Sequence, residues 1–233
     1  MVARGDRGVE VPMEEVPILQ KLMIKKAGAA GKQVVTETQM LESMIHNPRP
    51  TRAEATDIAN AIYDGTTAIM LSGESANGDY PVEAVKTMAR IAERTEQDID
   101  FESRLKKRAV PDDGDTTTAI SHATCTLAAD LKVKAIITVT MSGFTAAMIS
   151  RFKPSCPVIG CAVKRLVWRQ LNLQWGVQPL LIQEENTTED LFNEAVTAAL
   201  NAGYIQHGDK GIITAGVPLG ISGMTNQLRV VEV

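Results

Sequence analysis

Ala135-Ile136-Ile137-Thr138-Val139-Thr140-Met141-Ser142-Gly143-Phe144-Thr145 passes from an uncharged, mostly β-branched run into a Ser-Gly pair and a second apolar stretch. Unbroken runs of this kind suit a strand buried on both faces, which happens where helices cover a parallel sheet. A strand is therefore expected over 135–140 and a helix over 145–152. Reading outward, a helix over 116–131 precedes them. Strand 158–161, helix 165–173, strand 177–182, helix 189–202 and strand 211–215 follow. Such alternation predicts a doubly wound, mostly parallel α/β domain. The last run, 227–233, follows its predecessor through a connection too short for a helical crossover, so it is expected to pair antiparallel at an edge.

The N-terminal part repeats the rhythm. Val16, Leu19, Met23 and Ala27 recur at helical spacing over 12–30, between Pro12 and Gly31. A β-branched run over 32–36 leads to a capping box, Thr51 with Glu54, ahead of Ala55, Ile58, Ala59 and Ile62. Residues 1–3, 34–36 and 68–71 read as buried strands, and a helix opens at Pro81 with Val82, Val85, Met88 and Ala92 on one stripe. The order β-α-β-α-β-α spans 1–98. Between 99 and 114 the apolar period gives way to charge and to Pro111-Asp112-Asp113-Gly114, which predicts a linker. A second domain then covers 115–233.

With 233 residues and 44% apolar content the chain can bury a sizeable core. A net charge of −4 with no basic stripe argues against a nucleic-acid partner. No apolar run approaches the roughly 20 residues that cross a bilayer, and no signal peptide is evident, so no membrane partner is expected and the chain reads as cytoplasmic. Cys125, Cys156 and Cys161 form neither an even framework nor a CxxC pair, and read as reduced thiols. His46, His122 and His207 stand apart without partner motifs and read as structural or exposed.

Chemistry is expected where strands end. Gly5 and Asp6 follow the first strand, where Asp6 could hold a hard cation or simply complete a turn. Thr38 follows the second, as an anion donor or as a helix cap. Ser72 and Glu74 follow the third. In the second domain Thr140, Ser142, Gly143 and Thr145 bring hydroxyls and backbone N–H groups together as a phosphate cradle or as a capped loop. The glycine-rich stretch 216–225, with Gly220, Ser222 and Gly223, leaves the last parallel strand but lacks the lysine of a P-loop.

These residues stand in longer blocks. Met1-Val2-Ala3-Arg4-Gly5-Asp6 with Gly8-Val9-Glu10, then Thr38-Gln39-Met40-Leu41-Glu42-Ser43-Met44, Asn47-Pro48-Arg49-Pro50-Thr51-Arg52-Ala53-Glu54 and Met70-Leu71-Ser72-Gly73-Glu74, strongly resemble pyruvate kinase of bacterial type. The resemblance continues through 140–145 and 216–226. It implies the end of a TIM (β/α)8 barrel over 1–98 and the allosteric effector domain over 115–233.

The resemblance further implies phosphoryl transfer from phosphoenolpyruvate to ADP, giving pyruvate and ATP, with Mg²⁺ (or Mn²⁺) and K⁺, in a homotetramer. Asp6 would hold the Mg²⁺. Gly5, Asp6 and Thr38 would receive the substrate carboxylate, with Thr38, Ser72 and Glu74 as catalytic residues. The 140–145 and 216–225 loops, through Thr140, Ser142, Gly143, Thr145, Gly220, Ser222 and Gly223, would bind a phosphorylated effector. AMP or a sugar phosphate is expected over fructose bisphosphate, since Phe144 and Leu219 leave those loops without a basic side chain. The family's catalytic lysine and second metal-binding glutamate belong to an upstream Lys-Ile-Glu type motif that does not occur here. Arg7 replaces a typical leucine, and Thr67 an aspartate. Met1 corresponds to a methionine inside a barrel strand, and three strands do not close a barrel. The chain is thus expected to be a fragment, inactive alone. The rival expectation is a non-catalytic regulatory module that binds a phosphometabolite.

Overall fold

The computed structural model describes residues 1–108, 110, 114–218 and 223–233, with the Arg7 side chain outside that description. The chain divides into two units, Met1–Ile99 and Asp100–Val233.

The first unit runs β1 (Val2–Ala3), α1 (Arg4–Glu10), a 3-10 turn (Met13–Glu15), α2 (Val16–Ala29), β2 (Val35–Glu37), a second 3-10 turn (Glu42–Ile45), α3 (Arg52–Asp64), β3 (Ala68–Ile69), α4 (Gly73–Ala76) and α5 (Pro81–Asp98). Its three strands are parallel and lie in chain order, β1-β2-β3. Each strand thus neighbours the next one in sequence, as in a (β/α) barrel. The capping box starts α3: Thr51 Oγ1 accepts from the Glu54 N–H, and Glu54 Oε2 accepts from the Thr51 N–H at 2.7 Å. The inner stripe of α3, Ile58, Ala61 and Ile62, packs with Ala84 and Met88 of α5 and with Met40, Leu41 and Met44. Val9, Met13, Ile18 and Leu22 remain exposed.

The second unit contains α6 (Phe101–Lys107), α7 (Thr116–Leu131), β4 (Ala135–Thr140), α8 (Phe144–Ser150), β5 (Val158–Ala162), α9 (Arg165–Gln170) with a 3-10 extension (Leu171–Leu173), β6 (Val177–Leu181), α10 (Thr188–Asn201), β7 (Lys210–Ala215) and β8 (Gln227–Glu232). The sheet order is β6-β5-β4-β7-β8, with only β8 antiparallel, at the edge. Alternate strand residues feed two cores. Ile136, Val158 and Ile212 pack under α7, α8 and α9, while Ile137, Ile159 and Ile213 pack under α10. This is the expected doubly wound arrangement.

The stretch expected as a linker is partly helical. Asp100 caps α6 by accepting from the Ser103 N–H at 2.9 Å. Leu105 enters the core of the second unit, and the Phe101 ring lies 5.1 Å from that of Trp175. Two apolar residues in seven are too few to show a period against four charged neighbours in the same helix, Glu102, Arg104, Lys106 and Lys107.

Candidate functional site

The parallel register places the loops after β1, β2 and β3 at one rim of the first sheet, since Ala3 is level with Glu37 and Thr36 with Ile69. Arg4 joins the first two loops. Its Nη2 donates to the Thr38 carbonyl at 2.6 Å and its Nε to the Glu37 carbonyl at 3.1 Å, while Nη1 reaches both Asp57 carboxylate oxygens at 2.6–2.7 Å. The loop it grips is strained: Thr38 has φ 74° and Gln39 φ 56°. A β-branched residue in that region costs of the order of 1–3 kcal/mol and persists only where its surroundings fix it. The Thr38 side chain also stands over Gly5, where a Cβ would lie 2.9 Å from Thr38 Cγ2. Only glycine admits this approach without displacement.

Glu74 joins the third loop to the second. It is buried, its Oε1 accepts from the Leu41 N–H at 3.0 Å, and its Oε2 accepts from the Ser72 N–H at 2.8 Å. Both carboxylate oxygens therefore brace backbone and lock the second and third loops together. Ser72 itself is exposed at the start of α4. Thr67 hydroxyl accepts from the Val34 N–H at 2.9 Å, an acceptor role open equally to the aspartate it replaces.

Asp6 lies exposed in the first turn of α1, with no side-chain partner among the described residues. No group of three or more His, Cys, Asp or Glu suited to a metal occurs among those residues. Mg²⁺ commonly takes one or two protein carboxylates and fills its shell with water and substrate oxygens. A single free carboxylate at the rim fits the part of one such ligand.

In the second unit the chain leaves β4 in one direction to β5 and β6 and later returns to β7 on the other side, so a topological switch falls between β4 and β7. Ligands of open α/β sheets bind outside the strand ends at such points. A cleft of about 600 Å³, counting space open to solvent, lies there, lined by Thr140, Ser142 and Thr145, by Glu184 and Glu185 of the β6–α10 connection, and by Gly223 and Met224. Gly143 takes φ 86° and donates its N–H to Thr140 Oγ1 at 2.9 Å, which shapes the turn into α8. Thr145 and Thr225 share a hydroxyl hydrogen bond at 3.0 Å, and the Thr225 N–H donates to Thr117 Oγ1 at 3.1 Å. The Asn226 amide pairs with both the N–H and the carbonyl of Val217, at 2.9 and 2.6 Å.

Of the residues singled out in the sequence, Gly5, Thr38, Ser72 and Glu74 thus fall within one set of linked loops, with Asp6 beside Gly5. Thr140, Ser142, Thr145 and Gly223 line one cleft, and Gly143 forms the turn beside it. Gly220 and Ser222 lie outside the described residues. Sequence reading missed the roles of Arg4, Asp57, Thr117, Glu184 and Glu185, whose partners or neighbours are remote in the chain.

Together these features define a class: consecutive parallel barrel-type strands with a polar C-terminal rim, followed by a doubly wound domain with a switch-point cleft. Residues 1–85 match the family model described as the pyruvate kinase barrel domain, and residues 118–231 match that of the pyruvate kinase alpha/beta domain. The chain belongs to the pyruvate kinase family. It is 53% identical over 230 residues to a pyruvate kinase of Clostridium acetobutylicum, covering 99% of this chain and 49% of that protein. It is 51% identical over 230 residues to one of Geobacillus stearothermophilus, covering 99% and 39%. A solved pyruvate kinase of Cryptosporidium parvum superposes with a TM-score of 0.91 at 40% identity, covering 99% of this chain and 46% of that one. The chain therefore spans half or less of the length of these relatives.

Proposed function

We propose that the protein containing this chain transfers the phosphoryl group of phosphoenolpyruvate to ADP, giving pyruvate and ATP, and that residues 1–99 supply one part of the active site. The observation that carries this reading is the rim built around Thr38. Arg4, Gly5 and Glu74 hold a strained loop in one conformation, beside a carboxylate, Asp6, that has no partner among the described residues. A site that must orient a small polyanion gains from donors fixed before binding.

In this reading the backbone N–H groups of Gly5 and Asp6 and the Thr38 hydroxyl receive the substrate carboxylate. Asp6 is one ligand of the divalent cation, Mg²⁺ or Mn²⁺. Such a cation, when bound, neutralises charge on the moving phosphoryl group. Ser72, exposed at the same rim, is close enough in topology to serve the substrate, while Glu74 acts through the loops it braces. A K⁺ requirement and a homotetrameric state rest on family membership. The second unit serves as the regulatory part, its cleft taking a phosphorylated effector such as AMP or a sugar phosphate.

The test is a chimera in which the Clostridium acetobutylicum relative supplies the half of its length that this chain does not cover. Turnover of phosphoenolpyruvate and ADP is followed by coupling to lactate dehydrogenase, with Mg²⁺ and K⁺ present. Turnover by the chimera and none by the 233-residue chain alone is the expected result. A folded chimera without turnover would favour the regulatory-module reading.

A further inference from the structure

Glu54 makes more hydrogen bonds than its capping box requires. A capping box asks its third residue for one acceptor, aimed at the N-cap N–H, and Glu54 Oε2 supplies it to Thr51 at 2.7 Å. The same carboxylate also reaches back 11 positions to the connection after β2. Its Oε1 accepts from the Ser43 N–H at 2.7 Å and its Oε2 from the Ser43 hydroxyl at 2.6 Å. Burial alone would raise the Glu54 pKa, and the bonds from Ser43 do more than those from Thr51 to lower it. Ser43 is in turn a node of that connection: its carbonyl accepts from the Asn47 N–H at 3.0 Å and from the Asn47 side-chain amide at 2.9 Å.

Charged side chains thus grip the stretch from Thr38 to Ser43 at three points. Arg4 holds the Thr38 carbonyl, Glu74 the Leu41 N–H and Glu54 the Ser43 N–H. Thr38 and Gln39 open this stretch at positive φ, a conformation that persists only while the surroundings fix it. Releasing the anchor at Ser43 lets the stretch relax toward commoner backbone angles, and Thr38 moves with it. We propose that Glu54 is a positioning residue for phosphoenolpyruvate, acting through Ser43 to keep the Thr38 hydroxyl where the substrate carboxylate is received. The proposal rests on the reading of this rim as part of the active site, and adds to it a residue of α3 rather than of a strand end. A donor that holds the substrate carboxylate equally before and during phosphoryl transfer contributes uniform binding, so misplacing it raises KM and leaves kcat unchanged.

The test is steady-state kinetics of the chimera described above, carrying Glu54→Gln or Thr51→Ala, with phosphoenolpyruvate and ADP varied in turn. An amide at position 54 offers one acceptor oxygen, so it serves the Thr51 N–H or the Ser43 N–H but not both. Thr51→Ala weakens the cap of α3 and spares both bonds to Ser43. The expected result for Glu54→Gln is a KM for phosphoenolpyruvate raised about tenfold or more, since small misplacements of binding groups are costly, with kcat and the KM for ADP within about twofold of the parent. Thr51→Ala should lower the melting temperature and leave all three constants unchanged. A Glu54→Gln chimera with lower kcat and both KM values unaltered has merely lost folded molecules, which overturns the positioning role and leaves the site assignment standing. Unaltered kinetics in Glu54→Gln, or an equal rise in KM in Thr51→Ala, overturns it as well. A folded parent chimera without turnover overturns the site assignment and this proposal together.

Discussion

Arg4 donates to the carbonyl of Thr38 at 2.6 Å while its other arm holds Asp57, so a residue at the end of β1 fixes the backbone that leaves β2 and ties it to α3. The Arg4 side chain is 13% exposed and that of Asp57 36%. Arg4→Gln is expected to lower stability by about 1–3 kcal/mol, because partly buried carbonyl acceptors lose a charged donor. Asp57→Asn should cost less, on the order of 1 kcal/mol, since solvent screens that side of the pair. Chemical denaturation of the chain and its variants measures both, and equal or negligible losses would refute this ranking.

Gly5 and Thr38 are coupled through space. Gly5→Ala should cost about 1–3 kcal/mol by overpacking against Thr38 Cγ2. Thr38→Ser removes that methyl group, so adding it to Gly5→Ala should recover most of the loss. Strictly additive effects in the double-mutant cycle would mean that the close approach is not what demands glycine.

Replacing Glu74 by Gln leaves an amide where two backbone N–H groups need acceptors. One of them loses its partner, at roughly 1–3 kcal/mol. Hydrogen exchange at the Leu41 and Ser72 amides should accelerate by about tenfold or more at one of the two sites, 1.4 kcal/mol being a factor of ten. Unaltered protection at both would remove Glu74 as the brace between the loops.

Burial alone would raise the Glu54 pKa, but hydrogen bonds from Ser43 and Thr51 outweigh it and hold the carboxyl below its ordinary 4.5. The folded value lies below the unfolded one, so the stabilisation is present above the unfolded pKa and is lost as pH falls through the folded value. The stability gap between the chain and its Glu54→Gln variant should therefore be largest near neutrality and close progressively below about pH 4.5. Denaturation midpoints measured from pH 7 to pH 3 check this, and a gap that widens toward acid would reverse the sign.

The second unit was legible because its signals are local. Buried strands such as Ala135–Thr140 are continuous uncharged, mostly β-branched runs, and the following helix begins after a Ser-Gly turn. The capping box of Thr51 and Glu54 was likewise readable within four residues. By contrast α1 contains Gly5 and Gly8, poor helix formers, and offers almost no period. The candidate site was located from strand ends, yet its internal bracing was hidden. Arg4 meets Asp57 across 53 positions and Thr145 meets Thr225 across 80, and nothing in a local pattern announces such pairs. The bracing by Glu74 was hidden for the same reason, since the Leu41 N–H that its carboxylate accepts from lies 33 residues away.

The account turns on Asp6 as a carboxylate placed for the metal and the substrate. The most direct measurement is the turnover number of the active chimera with Asp6→Asn, compared with its parent, under saturating phosphoenolpyruvate, ADP, Mg²⁺ and K⁺. Asparagine keeps the size of the side chain and removes its charge, so folding is unaffected. Turnover should fall on the order of 10³-fold, as for loss of a group that acts on developing charge. An Asp6→Asn chimera as active as its parent would contradict the assignment of this rim as part of the active site.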